Sequence, residues 1–307
     1  MSDDPEGFAF DDPEGFAVKF VIPTAFSPTS QFCEMAQLAE ANGIDVIAIS
    51  DHVAHPEHIA SRYPYTADGS IRWTEDTAWP DPWVSIGAMA AVTSRLTFVT
   101  NIYVLALRNP FLAAKAIATA AALSGDRVAL GVGVGWCKEE FEFAGQDFHT
   151  RGKRTDEMIE VMRKLWTGDY IEHAGRFYQF GRVRMLPAPA ATVPNYGGGL
   201  SEPALRRAAR LDGWISDLHT SAELAEIAAT LRRYRAEIGR EAAPFDLIAA
   251  CVDAFDADSI RRLGDAGVTH YATAPWILHG GTWESLQDKK DGLRRFAEEV
   301  IAKIRGV

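Results

Sequence analysis

Cysteine is scarce in this chain: Cys33, Cys137 and Cys251 are the only three among 307 residues. They lie far apart, form no CxxC pair and make no even disulfide framework, so a reducing compartment fits better than secretion. Positive charge is also short. Lys and Arg number 31 against 42 Asp and Glu, a net charge of −11, which argues against a nucleic-acid or anionic-membrane surface, because both need clustered cations. No apolar run reaches the roughly 18 residues of a spanning helix. The start, Ser2-Asp3-Asp4, has neither the basic nor the apolar stretch of a secretory signal. The expectation is a cytoplasmic protein without nucleic-acid or membrane partners.

What is present is the makeup of a globular chain, 47% hydrophobic and 24% charged. Such a length allows one domain or two, since α/β barrels run to about 250 residues as a single domain. Asp3-Asp4-Pro5-Glu6-Gly7-Phe8-Ala9 recurs as Asp11-Asp12-Pro13-Glu14-Gly15-Phe16-Ala17. Structural repeats have periods of about 20–50 residues, and this one is far shorter. Residues 1–16 therefore read as a polar extension without chemistry, and residues 17–307 as the folded domain.

From Val18 onward short apolar runs alternate with amphipathic segments. Strands are expected over 18–22, 46–49, 96–105, 128–132, 195–198, 213–216, 245–252 and 268–273. Helices are expected over 29–42, 82–93, 110–124, 151–166, 201–211, 222–238, 256–266 and 283–304. Residues 169–192 read as a hairpin excursion, with strands at 177–180 and 183–185. Eight β/α alternations with no linker between halves predict one (β/α)₈ barrel with an insertion between strands 4 and 5. A doubly wound sheet would show a glycine-rich turn after the first strand, where this chain has Pro23-Thr24-Ala25-Phe26-Ser27-Pro28.

In a barrel, chemistry gathers where strands end. Strand 2 runs into Ser50-Asp51-His52. Either His52 exchanges a proton there with Asp51 raising its basicity, or Asp51 caps the loop and His52 is a satisfied mouth residue. His52, His55 and His58 recur every third residue, but Pro56 disfavours a helical face, and His219 and His270, near later strand ends, complete no ligand set, so no metal is expected. Asn101 stands inside an apolar strand, as a bulge presenting backbone to a ligand or as a buried, bonded Asn. Strand 4 ends Gly131-Val132-Gly133-Val134-Gly135-Trp136. Alternate glycines let a flat ring or a backbone approach, and Trp136 is pocket wall or core. Gly197-Gly198-Gly199-Leu200-Ser201 opens a helix, which suits a phosphate or makes a flexible turn with Ser201 as its cap. Arg206, Arg207 and Arg210 on that helix bind the same anion or form a solvated face. Tyr63, Tyr65, Trp73, Trp79 and Trp83 crowd a long polar connection, as a substrate-facing wall or as anchors to the barrel.

The stretches Ile49-Ser50-Asp51-His52, Thr100-Asn101-Ile102, Leu107-Arg108-Asn109-Pro110, 131–136, 151–157, Gly198-Gly199-Leu200-Ser201 and Asp212-Gly213-Trp214 occur in an order that resembles the luciferase-like monooxygenase family, in the branch that uses the deazaflavin coenzyme F420. The resemblance spans roughly Val18 to the C-terminus and implies the same insertion-bearing barrel. It implies that His52 lies beside the reactive edge of the ring system and that the Asn101–Ile102 peptide is a non-proline cis bulge backing the ring. Gly133, Val134 and Gly135, with Trp136 at their end, would border the ring or ribityl chain. Gly198, Gly199, Leu200 and Ser201 would hold the phosphate. Sugar-phosphate dehydrogenases of the deazaflavin group place an acid where this chain has Trp136, and the sequence shows no basic cluster for such a substrate.

The activity implied is hydride transfer between coenzyme F420 and a small, apolar or conjugated organic substrate, with His52, beside Asp51, assisting the proton and Tyr65, Trp73 and Trp79 walling the substrate. Alternatives are a two-component monooxygenase using reduced FMN and oxygen, partnered by a flavin or F420 reductase, and a cofactor-binding or sensory barrel without catalysis. The resemblance also implies a homodimer. Helix 110–124, apolar nearly all round, must be covered by its own barrel or by a partner.

Overall fold

The computed structural model describes residues 18–306; the duplicated extension lies outside the described residues. The chain builds β1 (Lys19–Pro23), α1 (Phe32–Ala41), β2 (Val46–Ile49), α2 (Pro82–Ala90), β3 (Thr97–Thr100), β4 (Tyr103–Val104), α3 (Pro110–Ser124) and β5 (Val128–Gly133). It continues with α4 (Lys138–Phe143), α5 (Arg151–Leu165), β6 (Ile171–Ala174), β7 (Gln179–Val183), β8 (Asn195–Gly198), α6 (Glu202–Arg210), β9 (Gly213–His219) and α7 (Ser221–Glu237). It finishes with β10 (Asp246–Cys251), α8 (Ala257–Ala266), β11 (His270–Ala272), α9 (Pro275–Leu278), α10 (Leu286–Phe296) and α11 (Ala302–Arg305).

Parallel pairing follows the order β3-β2-β1-β11-β10-β9-β8-β5, and β5 pairs back to β3, which closes the ring. β4 extends the third barrel position past a break at Asn101–Ile102 and pairs with β5 at Tyr103 and Val132. This is the expected (β/α)₈ barrel. Its strands alternate: Val21, Val46, Val99, Ala129, Ile215 and Ile248 fill the interior, while Phe20, Ile22, Ile47, Phe98, Leu130, Trp214 and Leu247 pack outward beneath the helices. Both faces are covered, which is why these strands read as short continuous apolar runs.

Helix starts follow local chemistry. The Asp81 carboxylate accepts from the Trp83 and Val84 N–H groups ahead of Pro82, and Asn109 accepts from Phe111 ahead of Pro110. α3 buries Ala113, Ala114, Ile117, Ala118 and Ala121 against its own barrel, leaving Leu112 and Leu123 exposed. Among the described residues no helix is long and apolar enough to cross a membrane.

Several expectations need correction. The hairpin inserted between β5 and β8 pairs Ile171 with Val183 and Ala174 with Gln179, so residues 177–178 form its turn. The Glu157 carboxylate, reaching from α5, accepts from the N–H groups of Arg176, Phe177 and Tyr178 and sets that turn. The closing helix is not continuous from 283: α9 comes first, α10 begins at Leu286, and a π-helical stretch, Ala297–Ile301, precedes α11. The short α4, unread in the sequence, follows β5. His270 stands at the start of β11, on the floor of the barrel rather than at its mouth. Burial there drives its imidazole pKa down to about 4.

Candidate functional site

The carboxyl end of β2 delivers Asp51 and His52 to the mouth, but the two side chains take separate partners. Asp51 is buried and accepts both guanidinium arms of Arg108 at 2.6 Å, together with the Val104 N–H at 2.9 Å. The pair is bidentate and ties the β2 end to the segment after β4. Asp51 thus holds the loop end through Arg108 and Val104, the second of the two readings, and makes no hydrogen bond to His52, which corrects its placing beside His52 as a catalytic partner. The His52 partner is Glu140, whose Oε2 lies 3.0 Å from Nδ1 while Oε1 accepts the Val53 N–H at 2.8 Å. Glu140 comes from the first turn of α4 and is 2% exposed. A carboxylate at Nδ1 fixes that nitrogen as the proton-bearing one and leaves Nε2 as the exchangeable position. The sequence showed Glu140 only as part of a polar stretch. Its role depends on α4 folding back across the mouth, and no local signal marks that.

Trp136 belongs to the wall above His52. Ring centroids lie 4.8 Å from His52 to Trp73, 5.2 Å to Trp79 and 6.2 Å to Trp136. Tyr63 packs edge-on against Trp73 and Trp136 and touches Tyr65 at 5.3 Å. Burial pushes both phenols up, so both stay neutral. Trp83 leaves the group and packs against Tyr103 inside. The connection that carries this wall is stapled down. Glu139 accepts from the Ala60 and Ser61 N–H groups; burial opposes its ionisation, but the bonds from Ser61 and Ala60 outweigh it and hold the carboxyl down to about 2. Arg72 pairs with Asp217 on β9 and donates to the Tyr65 carbonyl.

The peptide joining Asn101 and Ile102 is cis, as the resemblance implied. The alternate glycines of β5 serve this neighbouring strand first. A Cβ on Gly131 would sit 1.9 Å from the Thr100 carbonyl oxygen, and one on Gly133 1.9 Å from Ile102 Cδ1. Gly135, at φ +82°, faces Val104 and Phe141, and its carbonyl accepts from Arg151 Nε at 3.0 Å. A Cβ on Gly198 would likewise sit 2.8 Å from Ile102 Cγ2. Of the flat ring or backbone that the alternate glycines could admit, the strand face takes the neighbouring strand at Thr100 and Ile102. Val134 continues this loop, half-buried, toward Trp136.

After β8, Gly199 at φ +103° turns the chain into α6. Its carbonyl accepts Trp214 Nε1–H at 3.0 Å, so a fully buried β9 side chain sets the turn. Leu200 and Ser201 are exposed, and the Ser201 side chain makes no capping bond to the helix, contrary to the capping alternative. Its hydroxyl and the positive helix end remain for a ligand. The arginines do not join them: Arg206 pairs with Glu202 and Glu237, and Arg207 and Arg210 share Asp156. His219, also at the mouth, bonds Ser216 at 2.9 Å and packs on Trp214 at 5.8 Å; burial lowers its pKa. Among the described residues no three His, Cys, Asp or Glu side chains gather as a metal would require.

Comparison with known proteins agrees with this fold. The model of the luciferase-like monooxygenase family matches residues 17–298. An uncharacterized protein of Mycobacterium tuberculosis is 39% identical over 290 residues, covering 94% of this chain and all of that one. An F420-dependent glucose-6-phosphate dehydrogenase of Nakamurella multipartita is 28% identical over 246 residues, covering 78% of this chain and 68% of that protein. Among solved structures, an F420-dependent secondary alcohol dehydrogenase in complex with an F420–acetone adduct superposes with a TM-score of 0.74 at 18% identity, covering 93% and 98% of the two chains.

Proposed function

Because the chain belongs to the luciferase-like monooxygenase family, we propose that it is an oxidoreductase transferring hydride between coenzyme F420 and a small organic substrate. The observation that carries this reading is His52, held at Nδ1 by buried Glu140 and walled by Trp73, Trp79 and Trp136, at the same barrel mouth as the Asn101–Ile102 bulge and the Gly198–Ser201 turn. The residues present fit the cofactor. Gly199 is in a conformation that side chains rarely adopt, Ser201 has an uncommitted hydroxyl, and α6 directs its N-terminus there, together a phosphate cradle that needs no basic side chain. Asn101 and Ile102 would back the ring, with the 133–136 loop along its border.

When bound, the deazaflavin supplies a two-electron hydride donor or acceptor. The chain supplies the rest. Glu140 holds the imidazole in one tautomer and orientation, His52 Nε2 gives or takes the proton at a substrate oxygen, and the aromatic wall keeps water from the site. The reading requires a small-molecule substrate and an F420 reductase that supplies reduced cofactor.

Titrating the purified protein with F420 and, separately, FMN tests this. Saturable F420 binding and oxidation of reduced F420 on substrate addition are expected. Tight FMN binding without F420 binding would overturn the proposal in favour of a reduced-FMN monooxygenase. Cofactor binding with no turnover over a broad substrate panel would point to a sensory barrel.

A further inference from the structure

The floor of the barrel differs in chemistry from its middle. Strands β1, β3, β9, β10 and β11 begin with Lys19, Thr97, Gly213, Asp246 and His270. Each stands two residues before an interior position, Val21, Val99, Ile215, Ile248 or Ala272, so strand alternation puts it on the same inward face. The lowest interior layer is therefore polar, and Gly213 adds no side chain to it. A cavity of about 430 Å³ opens at this level, with Val46, Val99, Ala129 and Ile248 as its apolar lining. A (β/α)₈ interior is ordinarily packed solid, and this volume suits a small molecule.

The polar groups of the cavity are unequally committed. Asp45 takes Arg305 Nη2 at 2.8 Å and the Phe20 N–H. Glu40 accepts from the N–H groups of Ser94, Arg95 and Leu96. Asp246, beside the cavity, accepts the Tyr196 hydroxyl at 2.8 Å. Arg95 also lines the space, yet its guanidinium makes one 3.5 Å contact, to the Glu40 carbonyl, and forms no ion pair among the described residues. His270 is 5% exposed, and its Nδ1 lies 2.7 Å from Thr269 Oγ1. Its Nε2 has no hydrogen-bond partner among the described residues. A guanidinium without a counter-charge and a buried ring nitrogen without a partner thus border one apolar-lined space.

We propose that the barrel floor binds a small monocarboxylate with an apolar body and a hydroxyl at its far end. The carboxylate pairs with the Arg95 guanidinium, the body lies against Val46, Val99, Ala129 and Ile248, and the hydroxyl meets His270 Nε2. A hydroxyl both donates and accepts, so it fits either tautomer of His270. The site lies at the opposite end of the barrel from His52 and is independent of the oxidoreductase reading. It is a binding site, and no bond is made or broken there.

Isothermal titration of the full chain with 4-hydroxybenzoate, benzoate and 4-hydroxybenzyl alcohol separates the contributions. One-to-one binding of 4-hydroxybenzoate is expected, at least about tenfold tighter than the alcohol that lacks the carboxylate and severalfold tighter than benzoate. Arg95→Gln, at an exposed position that tolerates substitution, should erase the first difference and His270→Leu the second. Trp73→Ala, at the mouth, should leave all three affinities unchanged. No saturable binding of 4-hydroxybenzoate, equal binding of the alcohol, native affinity in Arg95→Gln, or loss of binding in Trp73→Ala overturns the floor site. Equal affinities for the two acids in the native chain overturn the part given to His270.

Discussion

Replacing Glu140 by Gln changes almost no volume and tests what holds His52. The carboxylate now accepts two donors, His52 Nδ1 at 3.0 Å and the Val53 N–H at 2.8 Å, from a position 2% exposed. A glutamine amide has one acceptor oxygen, so its NH₂ must oppose one of those donors at this buried position. A hydrogen bond to a charged group is worth about 1.5–3 kcal/mol, and a buried unmet donor costs about 1–3 kcal/mol. Loss of about 2 kcal/mol of positioning at the imidazole corresponds to a roughly 30-fold fall in kcat. If the proposed activity holds, steady-state oxidation of reduced F420 at saturating substrate measures it, while F420 affinity should stay within about twofold. Because Glu140 acts through His52, the double variant with His52→Ala should be no slower than His52→Ala alone, whereas independent roles would multiply. A Glu140→Gln enzyme with native kcat, or a double variant slower by the product of the two single effects, would refute the reasoning.

Other consequences follow from packing and burial. Gly131→Ala drives a Cβ against a backbone carbonyl, whereas Gly133→Ala meets the end of a movable isoleucine, so Gly131→Ala should lower the melting temperature more; the reverse order would show that Ile102 cannot move. Asp51→Asn leaves the Arg108 guanidinium without its bidentate partner and should cost about 3–5 kcal/mol in urea unfolding, against well under about 1 kcal/mol for Arg294→Gln, whose ion pair with Asp291 on α10 is exposed. His270, neutral in the fold with its pKa down at about 4, favours folding while the unfolded imidazole is also neutral. That stability is complete above about pH 6.5 and falls as pH drops toward 4, by about 3 kcal/mol. His270→Gln should flatten the loss over that window in urea midpoints, and an unchanged slope would remove His270 as its source.

The barrel was legible because doubly covered parallel strands leave short apolar runs, and because glycines and prolines punctuate the helices around them. The inserted hairpin slipped since its strand β7 is mostly exposed and gives no alternation. The aromatic Phe177 and Tyr178 attracted a strand assignment, whereas Glu157, about twenty residues back, makes them a turn. The candidate site was legible as positions and not as partners. Trp73 and Trp79 of the aromatic connection meet His52, and Trp136, open as wall or core, joins them while Trp83 does not, but Asp51 answers to Arg108, 57 residues on, and His52 to Glu140, 88 residues on. Such pairings are settled by how the loops cross over the mouth. The alternate glycines Gly131 and Gly133 of β5 mark a close approach, and what approaches is the adjacent strand.

The two neighbouring glutamates of α4 do different tasks with one backbone. Glu139 holds the connection at Ala60 and Ser61, while Glu140 holds His52. The connection that carries the aromatic wall and the imidazole therefore hang from the same six-residue helix. A substitution that releases Glu139 is expected to reach the imidazole through Glu140, the next residue of the same turn.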